Sequence, residues 1–375
     1  MRAKQMRIKE ITKQIERIVP LELAQDWDNV GLLIGNEQSS IRNILLTIDI
    51  TSEVLAEAKR LKTGFIISYH PVIWDSLKKI TTEGAAGIVY ELIRADIAVF
   101  SIHTAMDVVS GGINDVLAEI VGIKDGKPIG DYVENPAADN YKFVVFIPAD
   151  SVSKVSNAAF KAGAGAMGNY SNCGFEGQGQ GTFLPLEGAK PTIGKKGRLE
   201  KVPEIRFETI VPAGKLDAVI DAMKKAHPYE RPAFDCYKLY NRQEKIGLGR
   251  IGRLQKPVQL NTIIKKIKKQ TGAKAVGIVG KQTKLIKTAA VCAGSCGKII
   301  DAVIGAKADL YVTGELKHHH ALAAQQADVS CLCLSHTVSE RFILKRLANQ
   351  LQKKLKQVKI AISKKDADPF NWKQI

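Results

Sequence analysis

The chain has 375 residues, 45% of them hydrophobic and 25% charged, with a formal net charge of +17; this is the composition of a globular protein long enough for two or three domains. Its lysines are spread along predicted helix faces without interleaved aromatic residues, which favours solvated surfaces over nucleic-acid binding without excluding it. There is no apolar run near the ~18 residues of a membrane span and no secretory signal. The six cysteines are spaced unlike a disulfide framework or a zinc ribbon. We therefore expect a reduced, cytoplasmic protein that does not enter a membrane.

The first part of the chain alternates helical and strand-like segments. Apolar residues recur at close to helical period over residues 6–19, and Pro20 ends that helix. Apolar runs predict strands at 43–50, 64–68 and 97–102, and helical patterns predict helices at 51–61, 84–94 and 112–120. Strands that alternate with helices predict a parallel-rich α/β sheet.

The composition changes near residue 130. Asp131–Asn140 has the composition of a linker, and the elements predicted after it come close to the β-α-β-β-α-β order of a ferredoxin-like domain. The α/β pattern then resumes. We predict a two-lobed α/β core, with helices flanking mixed sheets, formed by residues 1–130 and 241–375 and interrupted by an inserted ferredoxin-like α+β domain at 131–240.

Residues 309–347 contain four of the seven histidines and have the pattern strand, helix, strand, helix. His336 and Glu340 lie where the second of these strands meets the second helix. His318, His319 and His320 lie on the first helix, where neighbouring side chains point about 100° apart. All three therefore cannot bind one ion, although one of them could face a site at this corner.

Two GxGxxG matches, at residues 163–168 and 247–252, do not predict a dinucleotide site. Neither lies between a strand and the start of a helix, which is the arrangement that brings a pyrophosphate to a helix N-terminus. The chain has no GxxxxGK(S/T) pattern and no GxSxG pattern, which argues against a P-loop ATPase and against a hydrolase with that serine motif.

Ligand-type side chains follow three predicted strands. They are His70, then His103 with Asp107, then His336 with Glu340. If those strands are parallel, their carboxyl ends meet at one edge of a sheet. Imidazole and carboxylate without thiolate suit a divalent ion such as zinc, iron or manganese, and ligands from separate parts of the chain leave coordination positions open to water. The three sites together predict a metal centre.

Each of these residues also has an ordinary structural explanation. Glu340 with Thr337 matches a helix capping box. Asp107 could cap the following helix, His70 could be a loop residue, and His103 could be a core histidine. Taken singly, each explanation is favoured over metal ligation, and only the convergence of the three sites favours a metal.

Six runs of sequence resemble a known family. They are QDWDNVGLLIGN (25–36), YHPVIW (69–74), HTAMDVVSGGIND (103–115), AVCAGSCG (290–297), DLYVTGELKHH (309–319) and SHTVSE (335–340). In this order they resemble the GTP cyclohydrolase I type 2 family, also called the NGG-interacting-factor-like family. GAGAMGNYSNCGFEGQGQGTFLP (163–185) and AHPYERPAFD (226–235) resemble the insert of longer bacterial members, which is similar in fold to PII-type signalling and divalent-cation-tolerance proteins.

The resemblance implies a two-metal site inside a toroidal homohexamer. The family's metal ligands carry over to His70, Asp107, His336 and Glu340. The family has two consecutive histidines before the proline, whereas this chain has Tyr69 at the first of them. A phenol with an ordinary pKa of ~10 is a poor ligand near neutral pH. We therefore expect one or two divalent ions per chain.

The leading hypothesis for function is a metal-dependent hydrolase. The family name implies hydrolytic opening of the guanine ring of GTP, and so a nucleotide-like substrate. A bound ion would lower the pKa of a coordinated water from 15.7 toward ~7, and His103, His318 or His319 would carry the proton. The alternative is a non-enzymatic metal-binding regulatory or scaffold protein whose insert binds a ligand or a partner.

Overall fold

The computed structural model describes residues 5–133, 140–167, 170–240 and 246–371. Its strands in chain order are β1 (Met6–Arg7), β2 (Gly31–Ile34), β3 (Ser40–Ile41), β4 (Asn43–Thr47), β5 (Phe65–Ser68), β6 (Ala98–Ser101), β7 (Ile123–Val133), β8 (Asn140–Pro148), β9 (Gly174–Phe183), β10 (Glu200–Pro212), β11 (Phe234–Lys238), β12 (Ile246–Gln259), β13 (Gly277–Val279), β14 (Leu285–Cys292), β15 (Leu310–Thr313), β16 (Ser330–Cys333) and β17 (Lys359–Ile362). Its helices are α1 (Ile8–Glu16), α2 (Ser52–Arg60), α3 (Gly84–Arg94), α4 (His103–Val108), α5 (Ile113–Val121), α6 (Val152–Lys161), α7 (Leu216–Ala226), α8 (Leu260–Thr271), α9 (Ile300–Gly305), α10 (His318–Gln326), α11 (His336–Arg341) and α12 (Ile343–Lys354). Within the described ranges, no helix combines the length and the apolar character that crossing a bilayer requires.

The chain divides into two compact units. The first unit is Met1–Glu134 together with Lys245–Ile375, and the second unit is Asn135–Glu244. The first unit contains a five-stranded sheet of order β17-β4-β5-β6-β2 and a six-stranded sheet of order β13-β16-β15-β14-β12-β7. The predicted mixed α/β architecture is confirmed.

Both large sheets combine parallel and antiparallel strands. In the five-stranded sheet, β17, β4, β5 and β6 are parallel and β2 is antiparallel to β6. In the six-stranded sheet, β14, β15 and β16 are parallel, and β12, β7 and β13 are antiparallel to their neighbours. Every residue of β5 and β6 is buried, as expected for parallel strands covered on both faces.

Local sequence rules explain several helices. Helix α1 buries Ile8, Ile11 and Ile15, whose spacing of three and four residues places them on one helix face. Helix α2 begins after Thr51, whose hydroxyl accepts a hydrogen bond from the Val54 N–H at 3.3 Å. This is the contact by which an N-cap residue satisfies a free N–H of the first helical turn.

The three strand ends that carry the predicted ligands do not lie on one sheet. His70 and His103 follow β5 and β6 of the five-stranded sheet, whereas His336 follows β16 of the six-stranded sheet. The prediction of a single sheet edge was wrong, because buried parallel strands are similarly apolar whichever sheet they join. The first unit instead brings together the carboxyl ends of strands from two different sheets.

The two ends of the linker predicted at Asp131–Asn140 belong to strands. Strand β7 continues to Val133 and β8 begins at Asn140, while residues 134–139 lie outside the described residues. The sequence pattern does not predict β7, because lysine, aspartate and glycine interrupt its apolar alternation. It nonetheless pairs with β12 over much of its length.

The second unit has a four-stranded antiparallel sheet of order β11-β8-β10-β9. Its elements follow in the chain order strand, helix, strand, strand, helix, strand. Helices α6 and α7 pack on one face through a core that includes Val155, Met223, Phe143 and Phe207. The opposite face carries the side chains that alternate with these core residues along each strand.

An ion pair between a buried arginine and a half-buried aspartate joins β12 to the segment of α4 and α5. Arg250 is 5% exposed, and its Nε donates to the Asp115 Oδ1 atom at 2.5 Å. Its remaining nitrogens donate to the carbonyl oxygens of Gly247 at 2.7 Å and Val108 at 3.0 Å, and Asp115 also accepts the Gly111 N–H at 2.6 Å. Arg250 thereby fixes residues that precede the second unit to a strand that follows it.

Candidate metal centre

Three of the predicted ligands meet between the two large sheets of the first unit. Ligand atoms of His70, His336 and Glu340 all lie within 4.8 Å of one another. The His70 Nε2 atom is 3.4 Å from the Glu340 Oε2 atom, and the His336 Nε2 atom is 3.3 Å from the Glu340 Oε1 atom. The two imidazoles therefore face the two oxygens of one carboxylate, and this three-residue group could hold a metal ion.

His70 is buried in the turn that directly follows β5. Its Nδ1 atom is 2.9 Å from the Oδ1 atom of Asp49, which follows the neighbouring strand β4. Burial lowers the pKa of His70, but the carboxylates of Asp49 and Glu340 outweigh it and raise the pKa to about 10. In the absence of a metal this imidazole is protonated at neutral pH, with a carboxylate oxygen at each nitrogen.

His336 begins α11 and is held by an unusual turn. Ser335 has a φ of 72°, a conformation that residues other than glycine rarely adopt, and its hydroxyl donates to the Asp368 Oδ2 atom at 2.5 Å. The His336 Nδ1 atom is 3.5 Å from the Glu315 Oε2 atom. The hydrogen bond with Glu340 raises the pKa of His336 to about 9 although burial opposes it.

Glu340 lies one helical turn after His336 and is 4% exposed. Burial alone would raise its pKa, but His336 and His70 lower it to about 2. Its Oε2 atom is buried, and its contact with the His70 Nε2 atom at 3.4 Å is too poorly aligned to satisfy it as a hydrogen bond. Buried charged oxygens are normally satisfied by a partner or an ion, so this atom is suited to bind a cation.

The capping-box explanation of Glu340 is wrong. Helix α11 starts at His336, and the residue before it, Ser335, makes no side-chain cap hydrogen bond. Thr337 lies within the helix, where it cannot serve as the N-cap. Glu340 therefore faces the two histidines, and no cap contact accounts for its burial.

Gly294 provides space beside the carboxylate. Its φ is +70°, and a Cβ atom there would lie 2.6 Å from the Glu340 Oε1 atom and 3.6 Å from the His336 Nε2 atom. The Gly294 N–H donates to the Ser339 Oγ atom at 2.9 Å, which ties this loop to α11. A side chain at this position would occupy the site.

Asp107 is half-buried close by but is not part of the three-residue group. The Tyr69 hydroxyl donates a hydrogen bond to its Oδ1 atom. Burial raises the pKa of Asp107 to about 7, although the bond from Tyr69 lowers it. Burial and the charge of Asp107 also raise the pKa of Tyr69 well above its ordinary value. Asp107 makes no cap, because α5 starts after Gly112 without a side-chain cap contact.

His103 lies beside the group, and its ring centroid is 5.2 Å from that of His70. Its Nδ1 atom is 2.8 Å from the Asp28 Oδ1 atom, and the other Asp28 oxygen accepts the Thr104 N–H at 3.0 Å. Burial opposes ionisation of Asp28, but the bonds from His103 and Thr104 lower its pKa. A carboxylate therefore orients the His103 ring.

Two exposed tryptophans flank His103. Trp27 is 66% exposed and Trp74 is 55% exposed, and their ring centroids lie 5.9 Å and 5.1 Å from that of His103. Trp74 is also 5.9 Å from the His70 ring. Large exposed aromatic side chains beside a polar group commonly mark a binding surface.

The three consecutive histidines lie elsewhere. His318 and His319 are exposed on α10, and His320 packs so closely on Gly297 that a Cβ atom there would lie 2.2 Å from its Nδ1 atom. None of them belongs to the group of described residues that could hold a metal.

The residues present fit a divalent metal. Two imidazoles and one carboxylate, with a buried oxygen left unsatisfied, form a donor set that suits zinc, iron or manganese. Each imidazole also faces a carboxylate through its other nitrogen, at Asp49 for His70 and at Glu315 for His336. Such outer contacts orient metal-binding histidines in proteins.

Sequence reasoning identified Glu340 but not the other carboxylates that contact the histidines, which are Asp49, Asp28 and Glu315. Asp49 follows β4 just as His70 follows β5, and this position at a strand end is the signal that could have found it. Asp28 and Glu315 lie in loops, where the sequence carries no periodic signal for the direction of a side chain.

Comparison with known proteins finds relatives over nearly the whole chain. A family model described as Duf34/NIF3 (NGG1p interacting factor 3) matches residues 6–369. The chain is 36% identical over 367 residues to a GTP cyclohydrolase 1 type 2 homolog of Halalkalibacterium halodurans, covering 96% of this chain and 98% of the relative. It is 34% identical over 374 residues to the protein of the same name in Bacillus subtilis, covering 99% of this chain and 100% of the relative.

Solved structures are also similar to this chain over nearly its whole length. A Bacillus cereus protein related to NIF3 has a TM-score of 0.88 and 36% identity, covering 99% of this chain and 100% of that chain. A Staphylococcus aureus protein has a TM-score of 0.75 and 28% identity, covering 98% of this chain and 99% of that chain.

Proposed function

Since the chain belongs to the Duf34/NIF3 family, we propose that it is a metal-dependent hydrolase whose divalent ion is held by His70, His336 and Glu340. One observation carries this proposal: each histidine turns its Nε2 atom toward Glu340 and its Nδ1 atom toward another carboxylate. When bound, a zinc, iron or manganese ion supplies Lewis acidity and lowers the pKa of water toward ~7.

His103 is the proton carrier in this proposal. Asp28 holds its Nδ1 atom, which leaves the Nε2 atom to exchange protons beside the ligand His70. An imidazole in a fixed orientation is the side chain that enzymes use most often for proton transfer. His318 and His319 are exposed and lie outside the three-residue group, so we assign them no part in the reaction.

The exposed indoles of Trp27 and Trp74 support a planar substrate. Aromatic side chains bind flat rings by stacking, and every nucleobase offers a face for this contact. The relatives in Halalkalibacterium halodurans and Bacillus subtilis are named as GTP cyclohydrolase 1 type 2 homologs. GTP is therefore the first substrate to test.

The hydrolase proposal predicts that GTP turnover requires the metal group. With zinc, iron or manganese added, the His336→Ala variant is expected to turn over GTP at least ~100-fold more slowly than the natural chain, because a ligand and its contact with Glu340 are lost. Ring-opened product is measured by chromatography. The control is Lys345→Ala, an exposed change on α12, which leaves the rate unchanged. Equal rates in the natural chain and in His336→Ala would contradict the proposal.

We also propose that the site holds one ion per chain. Tyr69 stands where the family resemblance implies a histidine ligand, and its hydroxyl engages Asp107, the carboxylate that a second ion would need. Asp107 is correspondingly absent from the three-residue group. A phenol whose pKa is raised by burial stays protonated and does not replace an imidazole as a ligand.

Tyr69→His is therefore expected to raise the metal content from one ion to two. The change supplies an imidazole and frees Asp107 from the tyrosine hydroxyl, so that both become available to a second ion. Elemental analysis of purified protein gives the number of ions per chain. Tyr69→Phe is the matched control, since it frees Asp107 without adding a ligand and should still hold one ion. Two ions in the natural chain would show that Tyr69 does not close the second position.

A non-enzymatic metal-binding or regulatory protein is the competing proposal. The tyrosine at a ligand position supports it, and it predicts stoichiometric metal without turnover of any nucleotide. The strand order and element order of the second unit support its assignment as an inserted ferredoxin-like, PII-like domain that could serve such regulation. The homohexamer implied by the resemblance stays a prediction.

A further inference from the structure

The second unit contains a cavity that the proposed hydrolase does not use. Its volume is about 850 Å³, within the roughly 300–1,000 Å³ of ligand pockets in proteins. Phe146 and Arg206 line it, and along their strands they alternate with the core residues Val145 and Phe207. The cavity therefore lies on the face of the sheet opposite α6 and α7.

Strand β9 gives this cavity a floor without side chains. Gly177, Gly179 and Gly181 occupy alternate positions, and Gly179 pairs with Glu204 of β10, so all three lie on the cavity face. A Cβ atom on Gly181 would lie 2.0 Å from the Glu204 Oε2 atom, which shows that the carboxylate rests directly on the backbone there. Glycine within a strand commonly marks a place where a ligand approaches the backbone closely.

Hydrogen bonds fix the loop wall of the cavity. The Thr192 hydroxyl donates to the Pro228 carbonyl oxygen at 2.9 Å, and the Lys190 N–H donates to the Glu230 Oε2 atom at 3.2 Å. The loop that contains residues 190–192 is thus joined to the loop that contains residues 228–230. Such preorganisation lowers the entropic cost of binding a ligand.

The rings of Phe183 and Tyr229, the Tyr229 hydroxyl and the Glu204 carboxylate all belong to the lining of the cavity. The rings of Phe183 and Tyr229 lie 6.2 Å apart. The Tyr229 hydroxyl is buried next to the Glu204 carboxylate, and it makes no well-aligned hydrogen bond among the described residues. Burial and the nearby charge of Glu204 raise the pKa of Tyr229 to about 12, so the phenol keeps its proton.

Glu204 has no cationic partner among the described residues. Arg206, two positions along the same strand, pairs with the Glu208 carboxylate at 2.7 Å. Lys142 also pairs with Glu208, at 2.8 Å. A carboxylate only accepts hydrogen bonds. Glu204 therefore selects a ligand edge that presents N–H or O–H donors.

We propose that this cavity binds a guanine-type base, as a nucleoside or nucleotide, with its two adjacent N–H donors on the Glu204 carboxylate. The base lies flat on the glycine floor beside the rings of Phe183 and Tyr229. Adenine fits less well, because an acceptor nitrogen stands beside its amino group and would face the carboxylate. A cationic amine fits less well too, since Arg206 already lies 5.5 Å from the centroid of the Phe146 ring.

The test is binding of guanosine, inosine and adenosine to the full chain, measured by titration calorimetry. Guanosine is expected to bind about 10-fold or more tightly than adenosine, with inosine between them because it lacks one donor. Glu204→Gln is expected to weaken guanosine binding by about 10- to 100-fold, the usual effect of losing a hydrogen bond to a charged group.

Gly179→Val is a second variant that keeps the proposal falsifiable. The nearest atom to a Cβ at Gly179 is 3.8 Å away, so the strand accommodates the side chain, which then fills the floor and abolishes guanosine binding. Glu176→Gln is the matched control, since this exposed residue of the same strand pairs opposite the core residue Phe207 and so lies on the other face. Its guanosine affinity should equal that of the natural chain.

Metal removal separates this proposal from the hydrolase. Protein treated with a chelator is expected to bind guanosine as before, because the first unit's histidines take no part in this cavity. No guanosine binding, equal affinity for guanosine and adenosine, or full binding in both Glu204→Gln and Gly179→Val would overturn the proposal. Tighter binding of spermidine than of guanosine would overturn it in favour of an amine site.

Discussion

Replacing Glu340 with glutamine is expected to weaken divalent-metal binding by more than about 100-fold. Glu340 supplies the only carboxylate of the three-residue group, and its pKa of about 2 keeps it ionised at neutral pH. Changes to outer contacts of metal ligands already cost about 10- to 100-fold in affinity, so loss of a charged ligand costs more. Glutamine keeps the shape of the side chain, and the buried site therefore stays filled. Affinity is measured by competition with a chromophoric chelator.

Glu315→Gln provides the graded comparison. Glu315 contacts only the outer nitrogen of His336, at 3.5 Å, and is 45% exposed, so its removal is expected to cost about 10-fold, the low end of the range for outer contacts. Equal affinity in the natural chain and Glu340→Gln would contradict the assignment of the ligands. A larger loss in Glu315→Gln than in Glu340→Gln would place the metal on the other side of the His336 ring.

The second large effect is expected on stability, from Arg250→Met. Methionine keeps much of the apolar volume but leaves the Asp115 carboxylate without its cation and removes donors from the carbonyl oxygens of Gly247 and Val108. Removing one partner of a buried ion pair typically costs about 3–5 kcal/mol, and the partial exposure of the Asp115 side chain, 27%, places this pair at the low end of that range. Urea denaturation should therefore show the free energy of unfolding of the first unit reduced by about 3 kcal/mol or more.

Arg346→Met tests the same chemistry at the surface. Arg346 pairs with Glu119 at 3.1 Å, but the two side chains are 38% and 63% exposed, and pairs of that kind contribute less than about 1 kcal/mol. Arg250→Lys adds a second comparison, because lysine keeps the charge and loses the planar fork that bonds Asp115 and the backbone together. If Arg250→Met were no more destabilising than Arg346→Met, the buried pair would have no special part in stability.

The local elements of the first unit follow from sequence patterns. Residues 84–94 form helix α3 as the pattern predicts, and the buried runs that become β5 and β6 end just before His70 and His103. These positions depend on periodicity and on the start of a following turn or helix, which act over a few residues. His336 and Glu340 are brought together by a single helical turn, so their proximity also follows from local geometry.

The contacts between distant segments do not follow from such patterns. The hydrogen bond between Tyr69 and Asp107 and the contact between His70 and Asp49 depend on which strands become neighbours. A buried parallel strand has the same apolar composition in either sheet, so the separation of His336 from His70 onto different sheets was not predictable. The glycine floor of β9 illustrates a further difficulty, because alternate glycines weaken the signal of a strand that the structure nonetheless pairs along β10.

The first unit is formed by two segments that are far apart in the sequence, and this separation affects how the protein is made in the cell. Roughly 270 residues lie between His70 and His336, which a ribosome adds in roughly 13 to 54 s at ~5–20 residues per second. During that interval the nascent chain has one of the three proposed ligands, and β17, the strand beside β4, is added later still. The second unit leaves the ribosome whole before either event. On the proposed assignment of the ligands, a divalent ion would be acquired only by the finished chain, and its identity would depend on which cations are then available.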